Sequence, residues 1–223
     1  MLKVDLNYIS TSLEDIKAET PILFMFHGYG SNKDDLFGLT RFFDKDVAVI
    51  SVEAPINLAN LGMPTGNAWF HLNFEADGIS YDNDAARESF AVVRTFVDET
   101  IKQLNHSGKN IYALGFSQGS ILAHSLVMSE TCPLAGAICL SGRMIDEVFI
   151  ENKDWSALKD FPIYVSHGSF DEVIPIESGT KIDKFYQNTP VNLDYNEYRM
   201  GHEINQECLN DIVQWAKKHI PSS

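Results

Sequence analysis

"YALGFSQGSI", residues 112–121, sets a serine between two glycines where an apolar run gives way to a helix-forming one. Gly115-Phe116-Ser117-Gln118-Gly119 fits the pattern G-x-S-x-G, in which a strand turns abruptly into a helix and holds the serine hydroxyl at the top of the turn. Glycines suit that geometry, because side chains beside so sharp a turn would collide with the strand or the helix. The plainer reading is a small residue in a tight turn. A serine hydroxyl alone is a poor nucleophile at neutral pH, so the chemical reading requires a base, an orienting acid and an oxyanion site elsewhere in the chain.

Outward from this stretch, short apolar runs alternate with helical patterns, the signature of a mostly parallel sheet covered on both faces. The candidate strands are PILFMFHG (21–28), VAVISVEAP (47–55), NIYALGFS (110–117), LAGAICLSG (134–142), FPIYVSHGS (161–169) and VNLDYNEYRM (191–200). The first five are nearly continuous apolar runs, as expected of strands buried on both faces. LKVDLNYI (2–9) alternates instead, which predicts an antiparallel edge strand. Ala86, Phe90, Val93, Val97, Ile101 and Leu104 recur every three or four residues and predict a long helix stopped near Gly108. Ile204, Cys208, Ile212 and Trp215 predict a final helix, with Lys217, Lys218 and His219 in its last turn and Pro221 beyond it.

One long segment, Pro55 to Asp82, fits neither period. It is rich in Gly, Asn and Pro yet carries Leu58, Leu61, Met63, Trp69, Phe70 and Phe74, so disorder is not expected of it, and it is the candidate wall of a substrate pocket.

The 223 residues fit one α/β domain, 1–223, with 44% hydrophobic residues to fill its core. Lys and Arg number 17 against 31 Asp and Glu, a net charge of -14. Such a field repels polyanions, which argues against nucleic acid and against docking on anionic lipid, and leaves neutral or zwitterionic substrates open. Cys132, Cys139 and Cys208 form neither a disulfide framework nor a metal motif and are read as core residues of a protein in a reducing compartment. The N-terminus lacks the basic start and unbroken apolar run of a secretory signal, and the longest apolar stretches are too short to span a bilayer. A cytoplasmic protein with no stable membrane insertion is expected.

The remaining parts of a serine site lie at other strand ends. LFMFHGYGSN (23–32) ends a strand in glycines that free backbone N–H groups, and Tyr29 N–H with Gln118 N–H are the natural oxyanion donors. An ordinary Gly-rich turn is the alternative. YVSHGSFDEVIP (164–175) delivers Asp171, with Glu172 as its rival, and YRMGHEINQE (198–207) delivers His202 between the last strand and the last helix. His27, His71, His106, His124, His167 and His219 are the alternative bases. Ser117, Asp171 and His202 follow one another in the order Ser…Asp…His, each directly after a predicted strand, as the α/β-hydrolase arrangement requires.

FHGYGSN, NAWFHL, LGFSQGS, SHGSFDEVIP and GHEI together resemble the phospholipase/carboxylesterase family of small serine α/β hydrolases, which includes carboxylesterases and acyl-protein thioesterases. The resemblance runs from about Thr20 to His219. It implies the α/β-hydrolase fold, a triad of Ser117, Asp171 and His202, and an oxyanion hole from the N–H groups of Tyr29 and Gln118. The spacing H-G-x-x-D-x-x-[VI]-P is the family's own and prefers Asp171 to Glu172. Where members often read Trp-Phe-Asp, this chain has Trp69-Phe70-His71, so no role passes to His71. Trp69 has two readings, a residue lining the acyl site or an aromatic covering part of the core.

The expected chemistry is hydrolysis of carboxylic esters of small or medium acyl chains through an acyl-enzyme, without metal or organic cofactor. The partner is then a small-molecule ester or thioester. A thioesterase or lysophospholipase acting on longer chains uses the same triad, and a non-catalytic binding protein of the same fold is the alternative from another class.

Overall fold

A computed structural model describes residues 5–75, 78–144 and 153–222. Eleven strands occur among them: β1 (Tyr8–Ser10), β2 (Ile22–Phe26), β3 (Ala48–Val52), β4 (Ile56–Asn57), β5 (Asn67–Ala68), β6 (Leu72–Glu75), β7 (Gly78–Tyr81), β8 (Ile111–Phe116), β9 (Gly136–Leu140), β10 (Pro162–Gly168) and β11 (Asn192–Tyr198). Five α-helices accompany them, α1 (Lys33–Phe37), α2 (Asn83–Gln103), α3 (Gln118–Met128), α4 (Ile176–Tyr186) and α5 (Gln206–His219).

Seven strands form one sheet in the order β1-β3-β2-β8-β9-β10-β11. All neighbours run parallel except β1, which pairs antiparallel with β3. Side chains alternate across a strand, and here both faces are filled. Ile22, Phe24 and Phe26 pack on one face with Val93, Phe96 and Val97 of α2 and Ile121 and Leu122 of α3. Leu23 and Met25 pack on the other with Leu36 of α1 and Ile212 and Trp215 of α5. The continuous apolar runs of the sequence are the direct consequence.

The register aligns the carboxyl ends of the central strands, with Phe26 opposite Gly115, Phe116 opposite Leu140 and Gly168 opposite Tyr198. The loops that leave these ends therefore share one edge of the sheet, the usual place for a ligand crevice in such folds.

Several local expectations are corrected. The antiparallel edge strand spans Tyr8–Ser10, after a bend at residues 5–6, and Leu2, Lys3 and Val4 lie outside the described residues. α2 ends at Gln103, well before Gly108; Asn105 takes the left-handed position with φ 51°, and His106 N–H closes the turn onto the Ile101 carbonyl. Asparagine tolerates that conformation almost as glycine does. Ile204 precedes α5, whose N-cap is Asn205, with its side chain accepting from Cys208 N–H at 2.9 Å. Cys132 is only partly buried at the core margin, while Cys139 and Cys208 are buried. The Pro55 to Asp82 segment holds two small antiparallel ladders, β4 with β5 and β6 with β7. No helix among the described residues is long and apolar enough to cross a membrane.

Candidate active site

Ser117 sits between β8 and α3 at φ 56° and ψ -116°, a conformation that non-glycine residues rarely hold and that the surrounding turn must impose. The flanking glycines make it possible. A Cβ on Gly119 would overlap the Phe26 carbonyl, and one on Gly115 would overlap the Gly119 carbonyl. β2, the turn and α3 can come this close only without side chains at those two positions.

Asp171 follows β10 and His202 follows β11, so both reach the same edge as Ser117. His202 Nδ1 lies 2.7 Å from Asp171 Oδ2, and His202 Nε2 lies 2.8 Å from Ser117 Oγ. A carboxylate only accepts, so Nδ1 carries the proton, and in the neutral ring Nε2 is left to accept from the serine hydroxyl. Asp171 Oδ1 accepts the N–H groups of Val173 and Ile174 at 2.9 and 2.8 Å. Burial opposes ionisation of Asp171, but the hydrogen bonds from His202, Ile174 and Val173 outweigh it and hold the carboxyl below its ordinary value. The acid is thus charged and its two oxygens are committed, one to the loop and one to the histidine.

Glu172 is oriented differently: it lines the adjoining cavity and makes no ion pair among the described residues. The other histidines are engaged elsewhere or exposed. His27 is buried, with Nδ1–H donating to the Gly28 carbonyl and Nε2 accepting Ala54 N–H. His124 contacts the Tyr186 hydroxyl, His106 bonds Thr20 and Gly108, His219 stacks on Trp215, and His71 is exposed. His167 belongs to the site's supporting layer, because its Nε2–H donates at 2.7 Å to the carbonyl of Ile174, whose N–H in turn holds Asp171.

The loop after β2 lies against the serine: a Cβ on Gly28 would come 3.2 Å from Ser117 Cβ. Among the hydrogen bonds between described residues, none uses Tyr29 N–H or Gln118 N–H, and both residues line the cavity beside Ser117 and His202. Two unspent donors at this place are what a developing oxyanion needs.

The Gln118 side chain has a role that local sequence pattern did not disclose. Its Oε1 accepts Trp69 N–H at 2.9 Å and its Nε2 donates to the Phe70 carbonyl at 2.7 Å. Trp69 in turn donates its indole N–H to the His27 carbonyl at 2.8 Å. Trp69 is 1% exposed and packs edge-on against Phe26, so it is a core residue that ties the Pro55 to Asp82 segment to the site, not a side chain lining the cavity. The cavity, about 530 Å³, takes its apolar wall from Leu72, Phe74 and Ile79 of that segment and from Ile121, Val173 and Ile174.

Comparison with known proteins gives one family. The model for Phospholipase/Carboxylesterase matches residues 10–220. Acyl-protein thioesterase 1 of Kluyveromyces lactis is 27% identical over 221 residues, 89% of this chain and 92% of the relative. Acyl-protein thioesterase 1 of Saccharomyces cerevisiae is 32% identical over 165 residues, 70% of each chain. In three dimensions the Bacillus cereus carboxylesterase superposes with a TM-score of 0.78 at 21% identity, covering 97% of this chain and 96% of its own, which shows the α/β-hydrolase fold.

Proposed function

The chain belongs to the phospholipase/carboxylesterase family of hydrolases, and from that membership we propose that it cleaves carboxylic esters of small or medium acyl chains through a Ser117 acyl-enzyme. The observation that carries this reading is the unbroken line of hydrogen bonds from Ser117 Oγ through His202 to Asp171. His202 Nε2 takes the hydroxyl proton as Ser117 Oγ attacks the ester carbonyl, and Asp171 stabilises the imidazolium that results. The N–H groups of Tyr29 and Gln118 stabilise the tetrahedral oxyanion. His202 then gives its proton to the departing alcohol, and water removes the acyl group by the same steps in reverse roles.

The cavity volume and its apolar wall of Leu72, Phe74 and Ile79 support an acyl chain of moderate length. A second reading, an acyl-protein thioesterase or lysophospholipase acting on longer chains, draws on the names of the yeast relatives and on the exposure of Phe74 and Val173 where they line the cavity.

Hydrolysis of p-nitrophenyl esters of increasing acyl length, with Ser117→Ala as the blank, tests both. Activity that peaks at short or medium chains and vanishes in the variant is expected. Activity that keeps rising into long chains favours the second reading, and turnover surviving in the variant overturns the serine mechanism.

A further inference from the structure

Arg143 lines the same cavity, and among the described residues its guanidinium makes one hydrogen bond. It leaves the end of β9 one residue after Gly142, where a Cβ would overlap the Ser120 side chain and come 3.2 Å from the Ser117 carbonyl. The backbone at Arg143 is therefore next to the serine turn. Its guanidinium is held from two sides: Nη2 donates to the Ile79 carbonyl of β7 at 3.1 Å, and Cζ lies 4.5 Å from the centroid of the Tyr81 ring. Nε is buried and has no acceptor among the described residues. None of the ion pairs among the described residues involves Arg143, although the chain carries 31 acidic residues against 17 basic ones.

A guanidinium offers five N–H donors in a rigid fork that matches a carboxylate. One hydrogen bond to β7 would suffice for a merely structural clamp, and a long neutral side chain would make it without placing an unpaired charge in a partly buried wall, which is costly. The retained charge, its fixed plane and its unused donors beside the nucleophile call for an anionic partner. Among the described residues no carboxylate pairs with the guanidinium, Glu172 of the same cavity included, which leaves it for an anionic group on the ligand.

We propose that Arg143 is a substrate-binding residue and that the preferred substrates are esters carrying a free carboxylate, gripped by its guanidinium while Ser117 attacks the ester carbonyl. The proposal rests on the esterase reading of the site. It places the carboxylate either on the acyl side, as in half-esters of dicarboxylic acids, or on the alcohol side. Hydrolysis of a half-ester then releases the alcohol, with its proton supplied by His202, and water yields the free dicarboxylate.

The test compares monomethyl glutarate, with its carboxylate on the acyl side, and 4-acetoxybutanoate, with its carboxylate on the alcohol side. Each is paired with a neutral isostere in which an isopropyl group replaces the carboxylate. The wild-type protein is expected to favour at least one charged ester over its isostere by tenfold or more in kcat/KM. Arg143→Gln should lower that ratio at least tenfold, chiefly through KM, and Arg143→Lys should fall between, because an ammonium lacks the fork. A loss shared equally by charged and neutral esters would assign Arg143 to holding β7 and overturn the proposal, as would a wild-type protein indifferent to the charge. Calorimetric binding of the same two charged esters to Ser117→Ala and to Ser117→Ala with Arg143→Gln decides the anion site without turnover. Binding of either ester that is lost with the arginine is expected, and no binding of both esters, or binding retained without Arg143, overturns it. If no ester is cleaved and no fluorophosphonate labels the protein, the esterase reading fails while the calorimetric result still stands.

Discussion

Gln118 and Trp69 meet across the site, the glutamine Oε1 accepting the tryptophan N–H at 2.9 Å from a position 49 residues further along the chain. With the bond from Gln118 Nε2 to the Phe70 carbonyl, this contact makes the residue after the serine a brace for the segment that walls the cavity. Gln118→Ala keeps the backbone N–H but strands two buried backbone groups, each costing about 1–3 kcal/mol when unpaired. Unfolding in urea should show a loss of roughly 2–6 kcal/mol, with kcat falling as the wall and the Gly28 loop relax. A variant as stable as the wild type would contradict the bracing role.

Asp171 sits where its ionised form is favoured by His202, Ile174 and Val173. Asp171→Asn leaves the histidine without its anion and disturbs the tautomer, so kcat should drop on the order of 10³–10⁴-fold with a smaller change in KM. Because the folded value is depressed below the ordinary 3.8, the stabilisation is fully present above that value and is lost as pH falls through the folded value. The stability difference between wild type and Asp171→Asn should therefore be constant near neutrality and shrink below about pH 4. A difference that stayed constant to lower pH would refute the ionised assignment.

His124 gives a second pH signature. It is buried in α3, with Nδ1 3.0 Å from the Tyr186 hydroxyl and Nε2 without a partner among the described residues, and burial pushes its pKa from 6.5 down to about 3. Between those values the unfolded chain binds a proton that the folded chain refuses, so stability falls as pH drops from 6.5 towards 3, by about 1.4 kcal/mol per pH unit. The gap between wild type and His124→Gln in urea unfolding should close at about that rate over this window. Parallel curves for the two proteins would mean that His124 takes up its proton in the folded state.

The sheet was legible because strands buried on both faces leave continuous apolar runs, as in Ile22–Phe26 and Ile111–Phe116; Ser117 and Asp171 follow such runs, and His202 follows the more polar strand Asn192–Tyr198. What pattern could not give was contact across distance. Gln118 braces residues 48 and 49 positions away, and Arg143 bonds Ile79 across 64 positions, both into a segment that has neither a helical nor a strand period. Trp69 shows the same limit, since an aromatic beside a loop fits a pocket wall or a core equally well until the indole's partner, the His27 carbonyl, is known. Asn105 at φ 51° and Gly108 at φ 80° both take the left-handed conformation, and α2 ends before the first of them, so a pattern that looked only for glycine placed the end too late.

Every step of the proposed hydrolysis depends on Ser117 as the nucleophile. The most direct measurement is the intact mass of the folded protein after reaction with a fluorophosphonate, followed by mapping of the modified peptide. One adduct per chain on the peptide containing Ser117, absent from Ser117→Ala and strongly slowed in His202→Ala, is the predicted result. An adduct that persists in Ser117→Ala, or that maps to another residue, would contradict it.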